Sequence, residues 1–435
     1  MIWCRHPKTR SSPNPQGRPG QKFIRPWENS MNNQIRFALL TASWLLPAMI
    51  IAGCANQSGY ASNRKHADER YHKMRGQLML PLATQQFEAG DLAQAHRTVN
   101  EALQINPQSG PFHVLAGRIA LERNRLELAH RLFNKATELD KNLAKAHYYK
   151  GLVYQRWNQF SEAMGCYQRA YNLKPDRPGY LLTIGEMLVA LDRPAEALEL
   201  FKSKLTYFAN NAGLRSAIAQ LYIMHGDHHS ALGYLREANL LAPQDMHIRE
   251  ILAMTQLEVG QADLAIRNLR SIIAQTDNHQ RTDLERSLAR AYAQTGRITD
   301  ARSLCQRLIR KDRADHQAWL TLGEIAWSGG DTATALHAAK RVIELAPNNH
   351  DGYLLAGMVW HKRDQIHKAI EMFNAAATAA PTKSTAVILH GIALERSGNI
   401  KEAVTAYKEA IRRHPQDNRA KELLAKIHPS GKQPG

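Results

Sequence analysis

The chain has 435 residues, enough for a few globular domains, and its 44% hydrophobic content with only 7% aromatics suits helices packed through Ala and Leu. Lys and Arg outnumber Asp and Glu by 57 to 39, a formal charge of +18 that favours anionic partners. The bases are interspersed with acids along the chain, which argues against the concentrated stripe of a nucleic-acid binder, and the four cysteines show no CxxC or Cys/His spacing for a disulfide framework or a zinc site.

Residues 1–30 are rich in Pro, Arg, Ser and Gly without apolar periodicity, and are expected to be either a disordered or an untranslated extension. From Met31 the pattern changes: Arg36 supplies a positive start, residues 37–51 form a 15-residue apolar run, and Ile51-Ala52-Gly53-Cys54 follows. That order predicts a secretory signal over 31–53, because the run is shorter than the roughly 20 residues of a membrane span and contains Pro47. The tetrapeptide resembles the lipobox of bacterial lipoproteins at all four positions. The resemblance implies that the Cys54 thiol carries a lipid and begins the mature chain, with Ala55 pointing to the outer membrane where the cell has one. Residues 54–75 are small and polar and are expected to be a flexible tether.

Beyond the tether one alanine keeps register. Ala95, Ala129, Ala163, Ala197, Ala231 and Ala265 follow one another by 34 residues; after one step of 36, the series runs on through Ala301, Ala335, Ala369 and Ala403. A period in the range of roughly 20 to 50 residues means stacked units. Ten are predicted, over 76–109, 110–143, 144–177, 178–211, 212–245, 246–279, 282–315, 316–349, 350–383 and 384–417, followed by a capping helix and tail over 418–435 with Leu423 and Leu424 facing inward. Each unit pairs two helices. Their crossing takes Gly (Gly117, Gly151, Gly185, Gly323, Gly357, Gly391) or Ala (Ala83, Ala219, Ala253, Ala289), and Pro107, Pro175, Pro243, Pro347, Pro381 and Pro415 end the second helices. Turns between the paired helices carry Gly90-Asp91, Gly226-Asp227, Gly330-Asp331 and Gly398-Asn399.

Trp319, Leu322, Gly323, Ala335 and Pro347, and again Tyr353, Gly357, Trp360, Ala369, Phe373, Ala376 and Pro381, resemble the tetratricopeptide motif. The resemblance implies an all-α fold, a right-handed α-solenoid superhelix of about ten helix-turn-helix units with a C-terminal capping helix. It also implies a partner-binding groove on the concave face of the first helices, at positions that here include Arg118, Tyr148, Gln155, Gln220, Arg286, Arg290, Trp327 and His361. That mixture suits an extended peptide or a partner helix.

The departures carry information too. The extra two residues near 276–283 should loosen the stack, and the seventh unit, with Arg313 in place of Pro and Cys305 in place of an aromatic, is expected to be the weakest. Residues that would form the carboxylate clamp of chaperone-binding arrays are missing, since Arg118, Leu152, Glu186, Glu324, Met358 and Ile392 stand where Asn is required. His225, Asp227, His228 and His229 fall on an exposed turn and do not make a metal site. No cofactor motif and no domain outside the array suggest an enzyme. The expected function is a non-catalytic scaffold, lipid-anchored at the bacterial cell envelope, that holds a protein partner. The alternative is an accessory subunit of a cell-wall or polysaccharide-processing enzyme that binds an anionic polymer.

Overall fold

The computed structural model describes residues 57–275 and 281–427, which form 21 helices and, among the described residues, no strand. The signal segment, Cys54, the centre of the expected insertion and the last residues of the tail lie outside the described residues. The chain divides into two compact bodies, one ending at Phe201 and the other beginning at Lys202.

The first body consists of hairpins. Helix α1 (Gln57–Glu88) pairs with α2 (Leu92–Ile105), α3 (Gly110–Glu122) with α4 (Leu126–Leu139), and α5 (Ala144–Arg156) with α6 (Phe160–Leu173); α7 (Pro178–Ala190) and α8 (Pro194–Lys204) follow. In the second body α9 (Ala212–Met224) pairs with α10 (His228–Leu241), α11 (Met246–Glu258) with α12 (Ala262–Gln275), and α13 (Thr282–Gln294) with α14 (Ile298–Lys311). The series continues with α15 (His316–Ser328) and α16 (Thr332–Leu345), α17 (His350–Lys362) and α18 (Ile366–Ala379), α19 (Ser384–Arg396) and α20 (Ile400–Arg413), and it ends at α21 (Asn418–Ile427). Successive first helices also touch, α1 with α3, α3 with α5, α13 with α15 and α15 with α17, so within each body they form one layer.

Local chemistry sets the hairpins. Every first helix leaves through a residue in the left-handed region: Gly90, Gly226, Gly260, Gly296, Gly330 and Gly398 at φ of 76–85°, and Asn124, Asn158, Asp192 and Asp364 at 54–61°. Gly adopts that conformation without steric cost, and Asn and Asp are the side chains that tolerate it best. The following Asp91, Asp227 and Asp331 then cap the second helices by accepting the N–H of Gln94, Ser230 and Thr334. These three caps occupy the turns read from the sequence as Gly-Asp. Asp227 therefore has a structural role, and the Ser230 hydrogen bonds hold its carboxyl below the usual carboxylate range.

The hairpins lock by complementary size. A methyl group added at Gly357 would lie 2.5 Å from Phe373 Cε1, and one at Gly151 would lie 2.7 Å from Tyr167 Cε1; Gly117, Gly185 and Gly391 are covered in the same way by Phe133, Phe201 and Tyr407. The glycines make room for a ring as well as for a close helix crossing. Where the first helix carries Ala83, Ala219, Ala253 or Ala289, the second helix answers with Val99, Leu235, Leu269 or Cys305, all fully buried. The seventh unit thus exchanges Gly and ring for Ala and thiol, a smaller pair. Gly323 departs from the pattern: Ala339 stands in the ring's place, and Leu355 from the next first helix approaches the glycine instead.

The expected tether is corrected from Gln57 onward, because residues 57–75 are the first turns of α1. Once residues 76–88 are fixed by packing, each added turn needs no new nucleus, and Ala61, Arg64, Ala67, Glu69 and Arg70 are good helix formers. At the other end α21 closes the stack. Its Ala420 is fully buried, and Leu423, Leu424 and Ile427 pack against the cluster that contains Tyr407 and Ala410.

Candidate functional site: the layer of first helices

The sequence-predicted groove residues all lie on first helices, Arg118, Tyr148 and Gln155 in the first body and the other five in the second. Most are engaged with their neighbours. The Arg118 guanidinium on α3 is stacked 4.3 Å from the ring of Phe87 on α1 and 5.2 Å from that of Tyr149 on α5, so cation–π contacts tie three first helices together. Burial raises the Tyr149 hydroxyl above its ordinary value, and Arg118 opposes that shift. Tyr148 sits within ring-contact distance of Tyr149, Tyr167 and Tyr180, at centroid separations of 5.2, 5.5 and 5.2 Å. Gln155 accepts the Tyr167 hydroxyl at 2.6 Å through its Oε1.

In the second body the charged residues form a ladder. Arg286 donates to Asp315 at 3.1 Å, and that carboxylate is also the N-cap of α15, accepting the N–H of Ala318. With side chains only 21% and 14% exposed, the pair is a strut between α13 and α15. Arg290 is looser, 4.0 Å from Glu258 of α11 with both side chains 51% exposed, and so remains available to a ligand. Glu324 lies close by; partial desolvation raises its carboxyl, Arg290 opposes the rise and Asp351 adds to it. Trp327 is half-buried with the Lys362 ammonium 5.0 Å from its ring. Gln220 on α9 is likewise half-buried. Burial lowers the His361 imidazole below its ordinary value, Arg396 adds to that and Asp364 opposes it, and its Nε2 is shielded from water without a hydrogen-bond partner.

Sequence reasoning did not single out Phe87, Tyr149, Glu258, Asp315 or Glu324 as members of this layer. A signal existed. Contacts between successive first helices recur at a separation just short of the 34-residue period, 31 residues from Phe87 to Arg118 and again 31 from Arg118 to Tyr149. Scanning for complementary residue types at that offset finds Phe87, Arg118 and Tyr149 in one line.

The layer offers a surface of rings, amides and charges and no reactive thiol. Burial pushes the Cys305 thiol up to about 12, and it also raises Cys166, so both stay protonated at neutral pH. Among the described residues no group of three or more His, Cys, Asp or Glu side chains is placed to hold a metal ion.

The architecture and this layer define a class, an all-α array of helical hairpins that meets its ligand across a surface. Arrays of this class bind protein partners and are in general non-catalytic scaffolds. The tetratricopeptide-repeat model matches residues 86–153, 188–255 and 256–325, a second tetratricopeptide-repeat model matches 144–177, and the tetratricopeptide domain of cytochrome c-type biogenesis protein H matches 301–424. The chain belongs to the tetratricopeptide-repeat family. It is 23% identical over 245 residues to tetratricopeptide repeat protein 37 of Xenopus laevis, an alignment that takes in 54% of this chain but only 15% of that protein. A tetratricopeptide repeat protein from Parabacteroides merdae superposes with a TM-score of 0.51 at 16% identity, covering 58% of this chain and 98% of the other. Yeast Tom70 is similar at a TM-score of 0.42 and 12% identity, over 82% of this chain and 96% of its own.

Proposed function

We propose that this protein is an exported scaffold, anchored at a bacterial cell envelope by lipid on Cys54, which holds a peptide or helix of a partner protein on its first-helix layer to assemble an envelope complex. The observation that carries the binding half is the division within that layer. In the second body Arg286 is spent on holding the helices in place, whereas Gln220, Arg290, Glu324 and Trp327 offer amide, charge and ring to a ligand. A rigid frame with a few adaptable groups binds a chain without a large ordering cost. The anchor rests on the order of positive start, apolar run and Ile51-Ala52-Gly53-Cys54.

Two experiments test the halves separately. Affinity capture from detergent-solubilised envelope, read by mass spectrometry, should yield a protein partner that a combined Gln220→Ala and Trp327→Ala variant loses while keeping its melting temperature; retention of the partner would remove the layer from the account. Metabolic labelling with a clickable fatty acid should mark the wild type and leave Cys54→Ser unlabelled and released from the membrane fraction. A Cys54→Ser protein that still labels contradicts the anchor.

A further inference from the structure

A further group of cationic side chains lies on the second-helix side of the hairpins. A cleft of about 660 Å³ opens between the second helices α12 and α14, with Leu288 and Tyr292 of α13 on its floor. Arg270, Arg297, Arg307 and Arg310 line it against a single carboxylate, Asp300. Asp300 is taken by Arg297 at 2.6 Å, and Arg307 turns to Glu285 at 2.9 Å. Arg270 and Arg310 are exposed and make no ion pair among the described residues. Between residues 246 and 315 Lys311 is the sole lysine while arginine recurs throughout, and guanidinium, unlike ammonium, presents a planar fork matched to a carboxylate.

The cleft does not stop there. Gln306 and Arg310 also line an adjoining hollow of about 440 Å³ on the far side of α14, where Trp319 and His337 meet at a centroid separation of 5.5 Å. The two hollows share Gln306 and Arg310, and with cations at the edge and the half-buried rings of Tyr292 and Trp319 within they fit a chain that carries both carboxylates and apolar side chains. A polyphosphate or uronic polymer would satisfy the arginines but make no use of the half-buried rings of Tyr292 and Trp319.

We propose that the arginine-lined cleft between α12 and α14 is a second docking site, which takes an acidic peptide segment of a partner protein with aliphatic residues between its Asp or Glu side chains. The site is independent of the first-helix layer and of the anchor, so its test stands whatever becomes of either.

The test is fluorescence-anisotropy titration of the full chain with a short labelled peptide alternating Glu and Leu. The Arg270→Glu/Arg310→Glu variant should bind about tenfold more weakly than wild type, whereas Lys401→Glu/Lys408→Glu, which changes the net charge equally at exposed positions of α20, should stay within about twofold. Replacing Leu by Ser in the peptide should weaken binding as well. Equal losses in the two variants would reduce the effect to overall charge and overturn the site. Equal binding of the Leu-free peptide, or its displacement by polyphosphate at matched charge, would overturn the peptide and point to an anionic polymer. Arg270→Gln/Arg310→Gln, checked by its melting curve, supplies the same reading should the charge reversals fail to fold.

Discussion

Gly357 and Phe373 show what a single residue decides. Placing a methyl 2.5 Å from a buried ring forces the helices apart, so Gly357→Ala should destabilise the protein by about 1–3 kcal/mol, read as a lower urea midpoint. Adding Phe373→Leu recreates the pair found at Ala253 and Leu269, and the double variant should recover most of that loss, giving a favourable coupling energy in the cycle. Additive losses would mean that the ring and the glycine do not compete for space. Acid sensitivity is also written in single residues. Burial lowers His390 below the ordinary histidine value of 6.5, with Glu402 opposing, and His361 is lowered by burial and then by Arg396. Their folded forms bind fewer protons than the unfolded chain, so this stability is present above 6.5 and is lost as pH falls below it. The melting temperature should drop on acidification from neutrality, and His390→Gln should flatten that slope. Most of this was legible in the sequence as the repeated Gly and Ala positions. The ring on the facing helix was not read as the reason for the glycine, because the 16-residue offset from Gly357 to Phe373 appears only when two helices are considered together.

Elements are held by caps and struts that differ in how replaceable they are. Arg286 joins α13 to the capping carboxylate of α15, so Arg286→Glu places two carboxylates together at a helix start and should lower the melting temperature measurably; Arg290→Glu, half-exposed and 4.0 Å from its acid, should leave it nearly unchanged. A partner lost by reversing both arginines would therefore report on folding as much as on binding, and the Arg290 change alone is the informative one. The C-terminal helix makes a second prediction. Removing 418–435 uncovers the side of Tyr407 and Ala410 on which Leu423 and Leu424 pack, and in a stack of near-neighbour units the damage should concentrate at α19 and α20. Hydrogen exchange should show faster opening there and little change at α13. Helix boundaries and the cap were readable from periodic apolar positions and from the Pro that follows six of the ten second helices. The N-terminal turns of α1 were missed because polar composition resembles a linker, whereas its continuity with a packed helix is a property of the neighbouring residues.

At the scale of the molecule the repeated unit explains why so much of the fold and so little of the partner could be read in advance. Periodicity constrains every hairpin, since Ala95 and its nine counterparts must all meet the same crossing. The eight groove positions inherit only their address from the repeat. Whether the side chain there is a strut, like Arg286, or is free to meet a ligand, like Arg290, depends on which acid the neighbouring unit supplies. The measurement that bears most directly on the scaffold reading is photo-crosslinking in the native cell with a photoreactive residue placed at one position at a time. Positions 220, 290 and 327 should each capture the same partner protein, while exposed second-helix positions 371 and 408 should not. Capture from 371 and 408 with none from the three first-helix positions would contradict the account.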